Sequence, residues 1–273
     1  MRKKNVLSVM LSLLMVFTFL SSASAEVVED PKEDLISALP DSTYANEVEL
    51  DNQLKEMGFN SEEISGMPID LKREISSKKG KKAILQKIDS IDLNQNKGNE
   101  LNPDQFGITG LVPTPILSGY AVYSGTSNNG KESIYQVYAT YYWDGNPEVY
   151  LTDTLAMAWK EAAVPTGTAN GQHTLVDSIG SRSYSSPVQT QKVSGTAWNV
   201  DIKYAGVSGV QSGWGRQELR YLTSLRGTTT AIEVGYSHRT VPAFVTAVSL
   251  NFGYISFSGV GQFSYGNRFT FIL

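Results

Sequence analysis

A hydrophobic period of two, running from Gly119 to the C-terminus, constrains this chain more than any other feature. Side chains of an extended strand alternate between faces, so apolar residues at every second position mark a strand with one side buried. In Thr196–Tyr204, Trp198, Val200, Ile202 and Tyr204 fall on one side, and Asn199, Asp201 and Lys203 on the other. The same rhythm recurs in Leu219, Tyr221, Thr223 and Leu225, and again in Thr230, Ile232, Val234 and Tyr236. Further strands are expected at Gly119–Ser124, Ser133–Trp143, Tyr150–Trp159, Phe244–Phe257 and Phe263–Leu273, with Asp144-Gly145-Asn146-Pro147 as a turn. Many short strands with Gly-rich turns predict a mainly β chain, with an antiparallel β-sandwich or barrel-like domain over residues 118–273. A two-residue turn at Arg226-Gly227 would pair two of these strands, setting Tyr221 opposite Ile232, Leu219 opposite Val234 and Arg220 opposite Glu233.

The N-terminus obeys a different pattern. Met1-Arg2-Lys3-Lys4 is followed by an apolar run from Val6 to Leu20 and then by Ser21-Ser22-Ala23-Ser24-Ala25. Positive start, apolar middle and small-residue exit predict a secretory signal peptide over residues 1–25, with cleavage expected between Ala25 and Glu26. The segment resembles the signal peptides of Gram-positive bacteria, which implies a secreted, extracellular protein with no membrane-spanning segment after cleavage. The chain has no Cys, so it has neither a disulfide nor a lipoprotein anchor, and burial alone must hold it together.

Composition changes near Gln105. Residues 26–105 carry 18 acidic and 10 basic side chains, against 9 and 10 in residues 106–273. The first stretch therefore reads as a charged helical segment, a candidate pro-segment, and residues 106–117 with Pro113 and Pro115 as a linker. Val48, Leu50, Leu54 and Met57 predict one short helix, stopped by Gly58 with Phe59 folding back. Asn60 and Glu63 have capping-box spacing for a second helix, and Pro68 opens a third around Leu71 and Ile75. Leu54-Lys55-Glu56-Met57-Gly58-Phe59 resembles the Met-Gly-Phe loop of ubiquitin-associated three-helix domains; the likeness implies a helix stop between two small helices and no ubiquitin binding. Lys78-Lys79-Gly80-Lys81-Lys82 reads as a solvated basic loop and a natural cleavage point. Asp92–Gly98 resembles a calcium loop, but its sixth and twelfth positions are Lys97 and Pro103, which excludes an EF-hand.

Few residues carry chemistry. His173 sits in a Gly-Gln-His-Thr stretch read as a loop, near Asp177 and Ser178, with no nucleophile elbow anywhere. His238 ends a strand, far along the chain from His173, and two distant His without Cys make a poor metal site. Asp201, Glu218 and Glu233 fall on outward positions of successive strands, as a glycosidase-type acid pair would require. Lys203, Arg216, Arg220 and Arg239 interleave with them, which equally describes an ion-pair ladder. No phosphate-binding Gly loop is present, so no cofactor is implied, and the near-neutral β-domain lacks the charge of a nucleic-acid binder. Aromatic residues cluster about one turn: Tyr138 and Tyr142 on one side, Tyr135, Tyr141 and Trp143 on the other, with Tyr150 beyond. Rings left in water would stack on a cell-wall polymer or other glycan, or anchor a secreted partner protein. The expected function is thus an extracellular binding module. A secreted hydrolase using the acid pair is one alternative. A membrane-active or antimicrobial protein using the charge-poor Phe244–Leu273 segment is the other.

Overall fold

The computed structural model describes residues 43–83, 85–91, 114–143, 145–147, 149–204, 209–241, 247–259 and 261–273. The expected signal peptide, the calcium-like stretch and most of the expected 106–117 linker lie outside these residues. Among the described residues, three helices come first: α1 (Thr43–Glu56), α2 (Ser61–Ser65) and α3 (Ile69–Ser77). Their ends are written locally in the sequence. Gly58 at φ 100° terminates α1, where the Phe59 N–H reaches the Leu54 carbonyl and the Gly58 N–H that of Lys55, both at 3.0 Å. This leaves Phe59 stacked back on Leu54 in a shared apolar cluster, as a Schellman end requires. Asn60 and Glu63 exchange reciprocal capping bonds of 2.9 Å at the start of α2.

Fourteen strands follow among the described residues: β1 (Lys81–Lys82), β2 (Leu85–Ile91), β3 (Pro115–Thr126), β4 (Glu132–Trp143), β5 (Thr152–Trp159), β6 (Val164–Asp177), β7 (Gly180–Ser185), β8 (Val188–Lys192), β9 (Gly195–Asp201), β10 (Val210–Leu222), β11 (Thr229–Arg239), β12 (Ala247–Asn251), β13 (Tyr254–Ser258) and β14 (Gln262–Ile272). They build two six-stranded antiparallel sheets, in the orders β1-β3-β4-β10-β6-β7 and β2-β14-β11-β5-β9-β8, with β12–β13 as a separate hairpin. The expected β-sandwich with a small helical N-terminal part is what forms. Its core holds Tyr135, Val137, Tyr141, Trp143, Leu219 and Tyr221 from the first sheet against Leu155, Trp159, Trp198, Ile232, Val234 and Phe271 from the second.

The expected Arg226-Gly227 hairpin is not made. A single 3-10 turn at Thr223–Leu225 carries the chain from one sheet to the other, so β10 pairs with β4 and β6 while β11 pairs with β5 and β14. Leu219, Tyr221, Ile232 and Val234 do all enter the core, but from opposite sheets rather than side by side. The strand expected over Phe244–Phe257 is, within the described residues, two short strands folded about Phe252-Gly253. Strands β6, β7 and β8, rich in Gly, Thr, Ser and Gln, carry too little apolar alternation to have been seen.

Both outer faces of the sandwich are partly covered. Over the first sheet, Leu54, Phe59, Ile64, Leu71 and Ile75 of the helical part pack on Tyr120, Val122, Tyr138 and Trp214. Over the second, Leu250, Ile255 and Phe257 of the β12–β13 hairpin lie on a floor of Ala156, Ala158 and Ala197. Segment 81–91 also joins the β-structure, since β1 extends the first sheet beside β3 and β2 extends the second beside β14.

Candidate functional site

The three acids expected to share a face do not share one. Glu218 projects from β10 on the outside of the first sheet; Asp201 and Glu233 project from β9 and β11 on the outside of the second. The core lies between Glu218 and the other two, because the chain changes sheet on entering and on leaving β10. Each acid is also engaged. Burial pushes the Glu218 carboxyl up, but hydrogen bonds from Thr166 Oγ1 (2.7 Å), Gln136 Nε2 (2.9 Å) and Arg220 outweigh it and hold the group below its ordinary value. A carboxylate so furnished with donors is a poor proton donor. Asp201 is 60% exposed and pairs with Lys203 at 2.7 Å. Glu233, expected to face water beside Arg220, is fully buried beneath the β12–β13 hairpin, where it accepts from the Ile255 N–H (2.9 Å) and Arg268 Nη2 (2.8 Å). Arg220 instead meets Glu132 and Glu218, and Arg216 meets Glu74 of α3 at 3.1 Å.

The two histidines, far apart in sequence, enter one buried cluster. His173 lies within β6, not in a loop, and its Nδ1 is 2.5 Å from the Tyr141 hydroxyl. Its ring is stacked with those of Tyr141 (6.2 Å) and Tyr184 (6.1 Å). Tyr141 in turn meets Tyr236 across the sandwich at 4.8 Å. The Tyr236 hydroxyl donates to Asp153 Oδ2 at 2.8 Å, and the same oxygen lies 2.8 Å from His238 Nδ1. Asp153 Oδ1 accepts the Arg239 N–H at 2.9 Å, and Trp143 packs edge-on to His238. Burial lowers His173 to about 4 and so keeps it neutral. Burial also raises Asp153, against the pull of its His238, Arg239 and Tyr236 partners. Asp177 and Ser178, expected near His173 as triad members, take no part: Asp177 is bound to Arg182 and to the Ile179 N–H. Tyr141, Asp153, His173, Tyr236 and His238 are all buried, and through the Tyr141–Tyr236 contact they tie the two sheets together. Among the described residues, no three His, Asp or Glu side chains gather as a metal site would need.

The aromatic residues divide sharply. Tyr141 and Trp143 belong to the core and Tyr138 to the interface beneath the helices, so none of the three presents a ring to solvent. Tyr142 is half-buried on the outer face of β4. Tyr150 is 37% exposed, and its ring meets that of Tyr204, 66% exposed, at 5.3 Å and 85°. Tyr204 was expected to point inward after Ile202; β9 ends at Asp201, Ile202 still enters the core, and Tyr204 beyond it faces solvent. Beside the pair, Lys203 holds its ammonium 5.5 Å from the centre of the Tyr184 ring, and its N–H reaches Gln211 Oε1 at 3.0 Å. Tyr184 thus forms the outer step of the stack that leads inward through His173 and Tyr141. Sequence reasoning missed Tyr184, whose only local sign is an aromatic residue in the polar Ser181–Ser186 stretch, and it placed Tyr204 on the inner face.

No family model and no curated protein sequence matches this chain. Solved structures that align with it do so at low similarity, among them the following three. The membrane-inserted form of the NetB toxin of Clostridium perfringens is 9% identical, with a TM-score of 0.28 over 69% of this chain and 95% of that one. The collagen-binding domain of a Staphylococcus aureus adhesin is 5% identical, with a TM-score of 0.28 over 56% and 99%. The collagen-binding domain of the Erysipelothrix rhusiopathiae surface protein RspB is 5% identical, with a TM-score of 0.27 over 57% and 60%. Scores this low carry no argument about function. Among the described residues, no helix is long and apolar enough to cross a membrane.

Proposed function

We propose that the protein is exported through a signal peptide cut between Ala25 and Glu26, and that it acts outside the cell as a binding module for a glycan of the cell envelope. The observation that carries this reading is the Tyr150–Tyr204 pair, two rings held against each other outside the core. A large aromatic ring in water forgoes the stabilisation that burial would bring, and a mutually braced pair loses little further entropy when it meets a ligand. Lys203, the residue before Tyr204, pairs with Asp201 and lies over the Tyr184 ring, which adds charged and hydroxyl groups to this surface. A sugar ring presents the complement: a C–H face for the tyrosines and hydroxyls for the polar groups. Tyr142 and Tyr150 remain from the ring set expected in the sequence; Tyr204 and Tyr184 replace the buried members.

The test is a glycan array and a pull-down on purified cell wall, comparing the parent chain with Y150A/Y204A. Binding that falls tenfold or more in the double variant, with an unchanged circular-dichroism spectrum, supports the site. Binding retained at the parental Kd removes the tyrosine pair from the interface, and a blank array together with a blank pull-down removes the glycan reading altogether. N-terminal sequencing of the secreted protein should return Glu26 as its first residue.

A further inference from the structure

The β12–β13 hairpin is built unlike the rest of the sandwich. From Thr240 to Asn267 the chain runs 28 residues without an Asp, Glu, Lys, Arg or His. Within that run the hairpin alternates: Val248 and Leu250 pair with Phe257 and Ile255 on one side, while Ala247, Ser249 and Asn251 pair with Ser258, Ser256 and Tyr254 on the other. It is inserted between β11 and β14, which are antiparallel neighbours in the second sheet, and it is folded back over the outer face of that sheet. The floor beneath is made of Ala156, Ala158 and Ala197, methyl groups into which nothing can lock. The polar ties between hairpin and sheet are few: Glu233 to the Ile255 N–H, Arg268 to the Gly253 carbonyl, Ser194 Oγ to the Leu250 carbonyl and the Gly253 N–H to the Trp159 carbonyl. Its tip is apolar and in water, with Phe252 41% and Tyr254 44% exposed.

We infer that this hairpin swings off the sheet and enters a lipid bilayer, giving the protein a membrane-permeabilising activity in addition to any surface binding. Three features point to it together. Exposed aromatic residues at a strand tip suit the interfacial layer of a membrane. An apolar side opposite a polar one is the pattern of a strand with lipid on one side and water on the other. The uncharged sequence is also long enough. The 22 residues from Thr240 to Gly261 separate β11 from β14, and less a two-residue turn they give two arms averaging about 10 residues, within the run of about 9–11 that a tilted strand needs to cross. Straightening would make the hairpin an extension of the existing β11–β14 pair. A lone hairpin in lipid would leave its edge N–H and C=O groups without partners, so insertion requires several copies to close a barrel. None of this depends on glycan recognition.

The test uses the full secreted chain and vesicles of phosphatidylcholine and phosphatidylglycerol, which carry neither glycan nor protein, so failure here leaves the glycan reading untouched. Dye release and a cross-linkable oligomer are expected from the parent. The chain has no Cys, which allows a clean lock: S194C/L250C joins two residues that already share a 2.8 Å hydrogen bond. Its oxidised form should release dye at least tenfold more slowly than its reduced form. F252W places a reporter at the tip, and its emission should shift to the blue and be quenched by brominated lipid. The inference is overturned if the parent leaves vesicles intact, if the oxidised and reduced lock release dye equally, or if the tip tryptophan stays unquenched. Should the lock fail to close or fold, F252W and the parental leakage decide the matter.

Discussion

The two outer faces of the sandwich meet the same demand in opposite ways. Over the first sheet, large side chains interlock: Phe59 packs edge-on to Tyr120 at 5.8 Å, and Tyr138 to Trp214 at 6.4 Å. Charge pins the helices from several sides. Glu74 meets Arg216, Asp70 accepts from Thr174 Oγ1 (3.0 Å) and from the Ser183 hydroxyl, and Lys82 reaches Glu63 (2.6 Å) while lying over the Phe59 ring. Gly80 is drawn so close to β3 that a methyl group there would fall 2.4 Å from Val122 Cγ1. Over the second sheet, an uncharged hairpin lies on alanine methyls, with one buried carboxylate as its main anchor. A face of large and charged side chains fixes its cover. A smooth face of small ones leaves its cover held by a handful of polar ties.

The largest effect should come from the interlocked cover. Leu71 is fully buried in α3, so Leu71→Ala removes apolar contact and leaves a cavity under the helices, at a cost of about 2–5 kcal/mol. Urea unfolding followed by circular dichroism should show the whole transition moving to lower denaturant, with no earlier phase. An early phase confined to the helices would break the comparison, since it would make the helical cover as separable as the hairpin.

Acid tests whether the core beneath both covers yields first. The folded chain keeps His173 at about 4, against 6.5 when exposed. Between those values the unfolded chain takes up a proton that the folded chain refuses, so stability falls as pH falls from about 6.5 to about 4 and loses no more from this group below that. The difference amounts to about 3 kcal/mol. Asp153, raised by burial, acts in the opposite sense: its contribution is present at low pH and is lost as pH rises through its folded value. His173→Gln isolates the histidine, and the slope of unfolding free energy across this window should flatten in that variant. An unchanged slope would show that the acid response belongs to other groups.

How much of this contrast can be read from sequence follows from the range of each cause. The Gly58 stop, the Asn60–Glu63 box and the inward positions of Leu219, Tyr221, Ile232 and Val234 are set within a few residues, and the sequence shows them. Whether Tyr221 and Ile232 lie side by side or face each other is decided by Thr223–Leu225, a turn with no distinctive composition. The burial of Glu233 comes from a hairpin that begins at Ala247, and the meeting of His173 with His238 comes from stacking two sheets. Alternation predicts which side of a strand is inward, and says nothing about what covers its outward side.

The smallest effect should be the most local. Glu233→Gln keeps an oxygen for the Ile255 N–H and nearly the same volume, but it loses the charge that Arg268 answers. Arg268 is itself 42% exposed and regains water, so the cost is about 1–2 kcal/mol and not that of a stranded buried ion. Because the floor offers only methyl groups, this loss should loosen the hairpin alone. Amide hydrogen exchange should quicken about 5–30-fold across Ala247–Ser258, while β4, β10 and the helices keep their protection. If exchange rose equally in α3 and in the hairpin, the two covers would be parts of one cooperative unit, and the smooth face would have to be held as firmly as the interlocked one.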